Sequence, residues 1–96
     1  MKKFNRKSVE GSAAVFKALG HPTRLWMVEQ LRDGQEVCVG EFVKNVGAEF
    51  ATISRHLAML KSAGIVTCEK HGREIHYRLV CPCVMNVVDC LAKKGV

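Results

Sequence analysis

A chain of 96 residues with 25% charged side chains supports one small domain whose core is marginal on its own. Lys and Arg exceed Asp and Glu by enough to leave a formal charge of +6, which suits a polyanionic partner. No apolar run approaches the roughly 20 residues of a membrane span, and the basic start is followed by Glu10 and Lys17 rather than a signal peptide's apolar stretch.

The chain is therefore expected to be cytoplasmic and away from membranes. There its five cysteines, an odd number, are reduced. That favours metal binding or redox chemistry over a disulfide framework. There is no phosphate loop, dinucleotide fingerprint or nucleophile–base pair, so an enzyme is not expected.

Residues 1 to 7 read as a mobile basic arm and residues 8 to 96 as one folded domain. A first helix is expected over Val9–Leu19, capped by Ser8, with Val9, Ala13, Phe16 and Leu19 on one side. Gly20 ends it. Pro22 suits the first turn of a second helix that carries Leu25, Trp26, Val28 and Leu31 and stops near Gly34. A third helix is expected over Val39–Val46. Gly47 then breaks the helical pattern and supplies a tight turn before a fourth helix over Glu49–Ala63. In that fourth helix Ile53, Leu57 and Leu60 share one face. Thr52, Ser54, Arg55 and Lys61 fall largely off it. Short hydrogen-bonding and basic groups near the N-terminus are then free to meet the major groove of double-stranded DNA.

Gly64 suits the C-cap of that helix. Ile65–Lys70 reads as a short β-branched strand, His71-Gly72-Arg73 as a turn, and Glu74–Val80 as a second strand with Ile75, Tyr77 and Leu79 on one face. A β-hairpin directly after a recognition helix is a wing. Its basic tip, with Lys70, His71 and Arg73, suits phosphates or a minor groove. Pro82 suits the start of a last helix ending near Gly95. Val84, Met85, Val87, Val88 and Leu91 cannot all face the core of so small a domain, so a two-fold dimer through the terminal helices is expected. Two recognition helices would then read half-sites about one turn of DNA, or a multiple, apart. The expected fold is mainly α with a small β-hairpin. It is a winged helix-turn-helix with about five helices and a two-stranded wing, in a homodimer.

Several segments together resemble the ArsR/SmtB family of bacterial metal-sensing repressors. They are Ala18-Leu19-Gly20-His21-Pro22-Thr23-Arg24-Leu25, Glu36-Val37-Cys38-Val39-Gly40-Glu41-Phe42, Thr52-Ile53-Ser54-Arg55-His56-Leu57 with Leu60 and Gly64, and the wing from Lys70 to Leu79. The likeness runs from about residue 12 to residue 80 without an evident gap. Each motif is weak alone and jointly they are specific. The resemblance implies a dimeric repressor of an inverted-repeat operator, released when an inducer binds. His56 matches a family position inside the recognition helix, where either DNA contact or docking is open.

Cys81, Cys83 and Cys90 are the most chemically loaded group. Soft thiolates select zinc, copper(I) and other thiophilic ions; trivalent arsenic, cadmium and lead share that preference. In the family pattern Cys81 and Cys83 sit where zinc sensors carry the first Asp and His ligands of their last-helix site. The second half of that zinc site would fall near Lys94 and beyond, and is absent. Arsenite, content with three thiolates, is therefore the first expected inducer, with cadmium or lead next. Zinc would want a fourth ligand, from Asp89 or a partner subunit.

Seven residues of helix separate Cys83 and Cys90 by about 10.5 Å along the axis. Either the first turn frays to let Cys81 approach, or antiparallel last helices bring Cys81 or Cys83 of one subunit to Cys90 of the other; the second couples ligand to dimer geometry. The same spacing argues against an intrahelical disulfide, whose Cα atoms lie about 4.4–6.8 Å apart. Oxidation or persulfidation, with a disulfide across the dimer, is the alternative signal, and a non-metal inducer stays open. Cys38 stands where the family's arsenic and cadmium sensors hold two or three cysteines, but Gly40 and Val43 fill the other positions, so Cys38 is expected to be structural. Cys68 is expected in the core, and His21 and His76 as local hydrogen-bond partners.

Overall fold

The computed structural model, which describes residues 1–96, contains five helices. They are α1 (Arg6–Leu19), α2 (Pro22–Glu29), α3 (Val39–Val46), α4 (Phe50–Ser62) and α5 (Val84–Lys93). Strands β1 (Val37–Cys38), β2 (Val66–His71) and β3 (Glu74–Leu79) form one antiparallel sheet in the order β1-β3-β2. The architecture is the winged helix-turn-helix expected, with a third strand added to the wing. Val37 pairs with Tyr77 and Cys38 with His76. A two-residue strand is too short to show alternation in sequence, and its pairing depends on a partner far along the chain.

Helix α1 starts earlier than expected because Asn5, not Ser8, is the cap. Asn5 is extended, and its side chain accepts the Lys7 N–H at 3.1 Å. The Ser8 hydroxyl donates instead to the Asn5 carbonyl at 2.7 Å. Arg6 and Lys7 are therefore helical, and the basic arm shortens to residues 1–5. Both Asn and Ser are good caps, so composition alone does not choose between them. Helix α2 ends at Glu29, and the chain passes through a 3-10 turn at Arg32–Gly34. Helix α5 begins at Val84, two residues after Pro82.

The helix-turn-helix is set by two glycines. Gly47 takes the left-handed conformation (φ 76°) that ends α3 and lets α4 start at once. Gly64 (φ 78°) ends α4 in a Schellman arrangement, with the Ile65 N–H bonded to the Leu60 carbonyl at 3.0 Å. Between them Ile53, Leu57 and Leu60 are fully buried with Met27, Val28, Leu31 and Phe42. Replacing Leu57 with alanine is expected to cost about 2–5 kcal/mol, because a cavity is left where the side chain was. Urea unfolding measures this, and a parent-like midpoint would contradict the packing.

The terminal helices leave apolar surface uncovered. Val9 (50%), Phe16 (62%), Val87 (44%) and Leu91 (48%) are all exposed, while Ala18 is the only buried residue of α1. The chain extends over 52 × 31 × 23 Å with a radius of gyration of 14.6 Å, against about 12.5 Å for a compact domain of this length. Val84 and Met85 anchor the start of α5 in the core.

Candidate nucleic-acid interface and cysteine cluster

Helix α4 turns its buried stripe inward, which sorts its remaining side chains. Arg55 is exposed, and Thr52 and Ser54 are half-buried at its N-terminal half. Phe50, the first residue of α4, is also exposed. Sequence reasoning did not single out Phe50: it continues the spacing of Ile53, Leu57 and Leu60, and only the fold shows that this first-turn position lies beyond the core. Lys61 is turned toward the wing, with its ammonium 3.3 Å from the Cys68 sulfur. Cys68 itself is half-buried rather than in the core, and it pairs with Tyr77 across the sheet.

On the wing, Lys70 and Arg73 are exposed and form no ion pair within the chain. His71 differs: its Nε2 is 3.7 Å from Glu36 and 3.9 Å from Glu69. His76 lies 3.3 Å from Glu74, a local partner as expected. The wing thus offers two free cations at its turn, with histidines and carboxylates behind them.

His56 does not stand with Arg55. It faces α2, where its Nδ1 is 3.4 Å from Arg24 Nη1 and its ring centroid is 4.7 Å from that of His21. Burial lowers its pKa, and the nearby charges of His21, Arg24 and Arg55 lower it further. His21 caps α2, its Nδ1 accepting the Thr23 N–H at 3.2 Å. The contacts of His56 within the chain are with α2, and its ring stays partly exposed. These partners lie too far away in the chain for periodicity to reveal.

The cysteines divide into three places. Cys81 and Cys83 flank Pro82 between β3 and α5, with their sulfur atoms 3.0 Å apart. The hydrogen bond to Cys83 raises the Cys81 pKa, and desolvation adds to it. Two thiolates on one tetrahedral ion sit roughly 3.7 Å apart, given metal–sulfur bonds of about 2.3 Å, so a small opening would let this pair share an ion. Cys90 is exposed farther along α5. No three His, Cys, Asp or Glu side chains of one chain are gathered to hold an ion. Asp89, offered above as a fourth zinc ligand, is held by Arg32 through two hydrogen bonds of 3.0 Å. That bond to Arg32 lowers the Asp89 pKa. Cys38 lies apart in β1, lining a recess of about 230 Å³ with Phe50, Arg73 and Ile75.

Residues 21–67 match the model of the bacterial regulatory protein arsR family. The HTH-type transcriptional repressor SmtB of Mycobacterium tuberculosis is 37% identical over 91 residues, covering 94% of this chain and 67% of that protein. The arsenical resistance operon repressor of Escherichia coli is 38% identical over 65 residues, covering 68% of this chain and 56% of that protein. A homodimeric winged helix-turn-helix DNA-binding domain from Mycobacterium bovis superposes with a TM-score of 0.82 at 28% identity, covering 97% of this chain and 90% of that one. No helix is long and apolar enough to cross a membrane. Motifs, fold and relatives agree, and the chain belongs to the ArsR/SmtB family of winged helix-turn-helix transcriptional repressors.

Proposed function

We propose that this repressor binds an inverted-repeat operator as a homodimer and leaves it when a thiophilic ion binds Cys81, Cys83 and Cys90. Arsenite is the first candidate, and cadmium or lead the next. The observation that carries the reading is the pair of thiols 3.0 Å apart at the foot of α5, the helix whose exposed Val87 and Leu91 await a partner. The third sulfur comes from Cys90 of the other subunit, because within one helix Cys83 and Cys90 are about 10.5 Å apart along the axis. Zinc fits less well, since Asp89 is already held by Arg32.

When bound, the ion supplies a tie between thiolates. The chain's own residues do the rest. Cys81 and Cys83 give up their protons, which makes ion affinity rise with pH. Their position between β3 and α5 links the wing to the dimer helix. The ion must favour the dimer geometry that fits DNA less well. A coupling of about 1–3 kcal/mol would weaken operator binding some 5- to 150-fold. Titrating operator-bound protein with arsenite under reducing conditions tests this, and an operator complex indifferent to the ion would refute it.

Thr52, Ser54 and Arg55 are assigned to the major groove, and Lys70 and Arg73 to the backbone or minor groove. Arg55→Ala is expected to lose about 1–3 kcal/mol of specific binding if Arg55 reads a guanine. Arg73→Ala is expected to weaken all sequences more evenly and to flatten the salt dependence. Parent-like binding by both variants across a salt series would show that the DNA face is misassigned.

The adjacent thiols also favour a second reading, in which oxidation or persulfidation of Cys81 and Cys83 is the signal. Release by oxidant, with no response to any ion, would select it.

A further inference from the structure

We propose that His21 and His56 form a proton-sensitive clasp that positions the recognition helix α4 on α2, so that the DNA-reading surface is set only while both imidazoles are neutral. The proposal rests on the DNA-binding reading above, and it concerns how α4 is held rather than which groups touch DNA.

The clasp is built around one guanidinium. Arg24 Nε donates to the Ala18 carbonyl at 2.7 Å and Nη2 to the Lys17 carbonyl at 3.3 Å, at the C-terminal end of α1. Its Nη1 lies 3.4 Å from His56 Nδ1 on α4. One side chain of α2 thus ties α1 and α4 together. Arginine has donors only, so His56 Nδ1 must be the acceptor in this contact, with the ring proton on Nε2. The same holds at His21, whose Nδ1 accepts the Thr23 N–H and caps α2. The two rings lie 4.7 Å apart.

Protonation at Nδ1 turns each acceptor into a donor. The α2 cap and the Arg24–His56 contact are then both lost, and new positive charge appears beside Arg24. No carboxylate pairs with it. From α1 the clasp meets the carbonyls of Lys17 and Ala18, from α2 it meets His21 and Arg24, and along α4 it meets Arg55. None of the chain's ion pairs brings a carboxylate to His21, Arg24 or His56. Burial and this basic company depress the His56 pKa. A histidine with a depressed folded value favours the native state above its ordinary pKa of about 6.5. That advantage is lost as pH falls through the lower folded value. Arg55, the preceding residue, and Ser54 before it would lose their registration on DNA as α4 loosens.

The wing histidines should act in the opposite sense. His71 and His76 lie against Glu36, Glu69 and Glu74, so their protonation adds positive charge on the side that meets phosphate. The two effects can therefore be separated.

Two measurements test the clasp. The first is an NMR titration of the histidine rings in the DNA-free protein, in which His56 should titrate below the ordinary histidine value. The second is operator affinity at constant ionic strength between about pH 7.5 and 5.5, in a His71→Asn, His76→Asn background. There the affinity should be lost progressively as pH falls below the ordinary histidine value of about 6.5. His56→Gln keeps an acceptor for Arg24 without titrating, and His21→Asn keeps a cap. Each is expected to bind like the background at pH 7.5, and the double variant should hold its affinity into acid. A His56 ring titrating at or above the ordinary value would overturn the clasp. So would a double variant that loses affinity along the same curve as the background. If His56→Gln does not fold, the ring titration and His21→Asn decide. Absence of specific DNA binding at every pH would sink the repressor reading instead, and the ring titration would still judge the clasp.

Discussion

A Cys83→Ser, Cys90→Ser variant is expected to bind its operator like the parent and to stay bound when arsenite is added. Neither thiol belongs to the buried core, and neither lies on the DNA-facing half of α4 or on the wing turn. Serine in their place should cost little stability and leave DNA contacts alone. What it removes is sulfur. Arsenite asks for three thiolates, and a hydroxyl is a hard donor that a soft ion does not select. Cys38→Ser should keep both binding and release, because Cys38 sits in β1 beside Phe50 and Arg73, apart from the other thiols. Fluorescence anisotropy of labelled operator, with and without arsenite under reducing conditions, reads all three proteins. Normal release from the double variant would refute the site.

Placing aspartate at both Val87 and Leu91 should give a monomer and a loss of operator affinity of about 10²–10⁴-fold. Both residues are about half exposed in the single chain, on the helix proposed to meet its copy. Burying two unpaired carboxylates per subunit there is costly. The affinity loss follows from symmetry: a dimer places its second recognition helix at high effective concentration, and a monomer gives up that factor of about 10²–10⁴. Sedimentation at micromolar concentration gives the mass. A variant that remains a dimer, or a monomer that still binds a palindromic site fully, would contradict the assignment.

The helix-turn-helix was legible because local signals there agree. Helix α3 spans Val39–Val46 as its spacing predicts, and α4 lies within one residue of expectation at each end. In both, an apolar stripe and a capping glycine point the same way. Disagreements arose where the deciding partner is distant or where two local signals compete. Strand β1 exists because β3 is there to pair with it. Asn5 and Ser8 compete to cap α1, and only the helix start shows which wins. His56 follows Ile53 by three residues and precedes Leu60 by four, so it borders the apolar stripe of α4, but its partners His21 and Arg24 are distant in the chain and show only in the fold. The closeness of Cys81 and Cys83 follows from their spacing around Pro82. The distance of Cys90 follows from helical rise. Engagement of Asp89 by Arg32 does not, since it depends on how α5 lies against the turn after α2.

Native mass spectrometry of the protein on a palindromic operator, titrated with arsenite under reducing conditions, bears most directly on release by a thiophilic ion. The expected result is an ion-free dimer on DNA that gives way, as arsenite rises, to a DNA-free dimer carrying arsenic. An arsenic-loaded dimer that remains on DNA in undiminished amount, or a protein that retains no ion while its thiols are reduced, would contradict it.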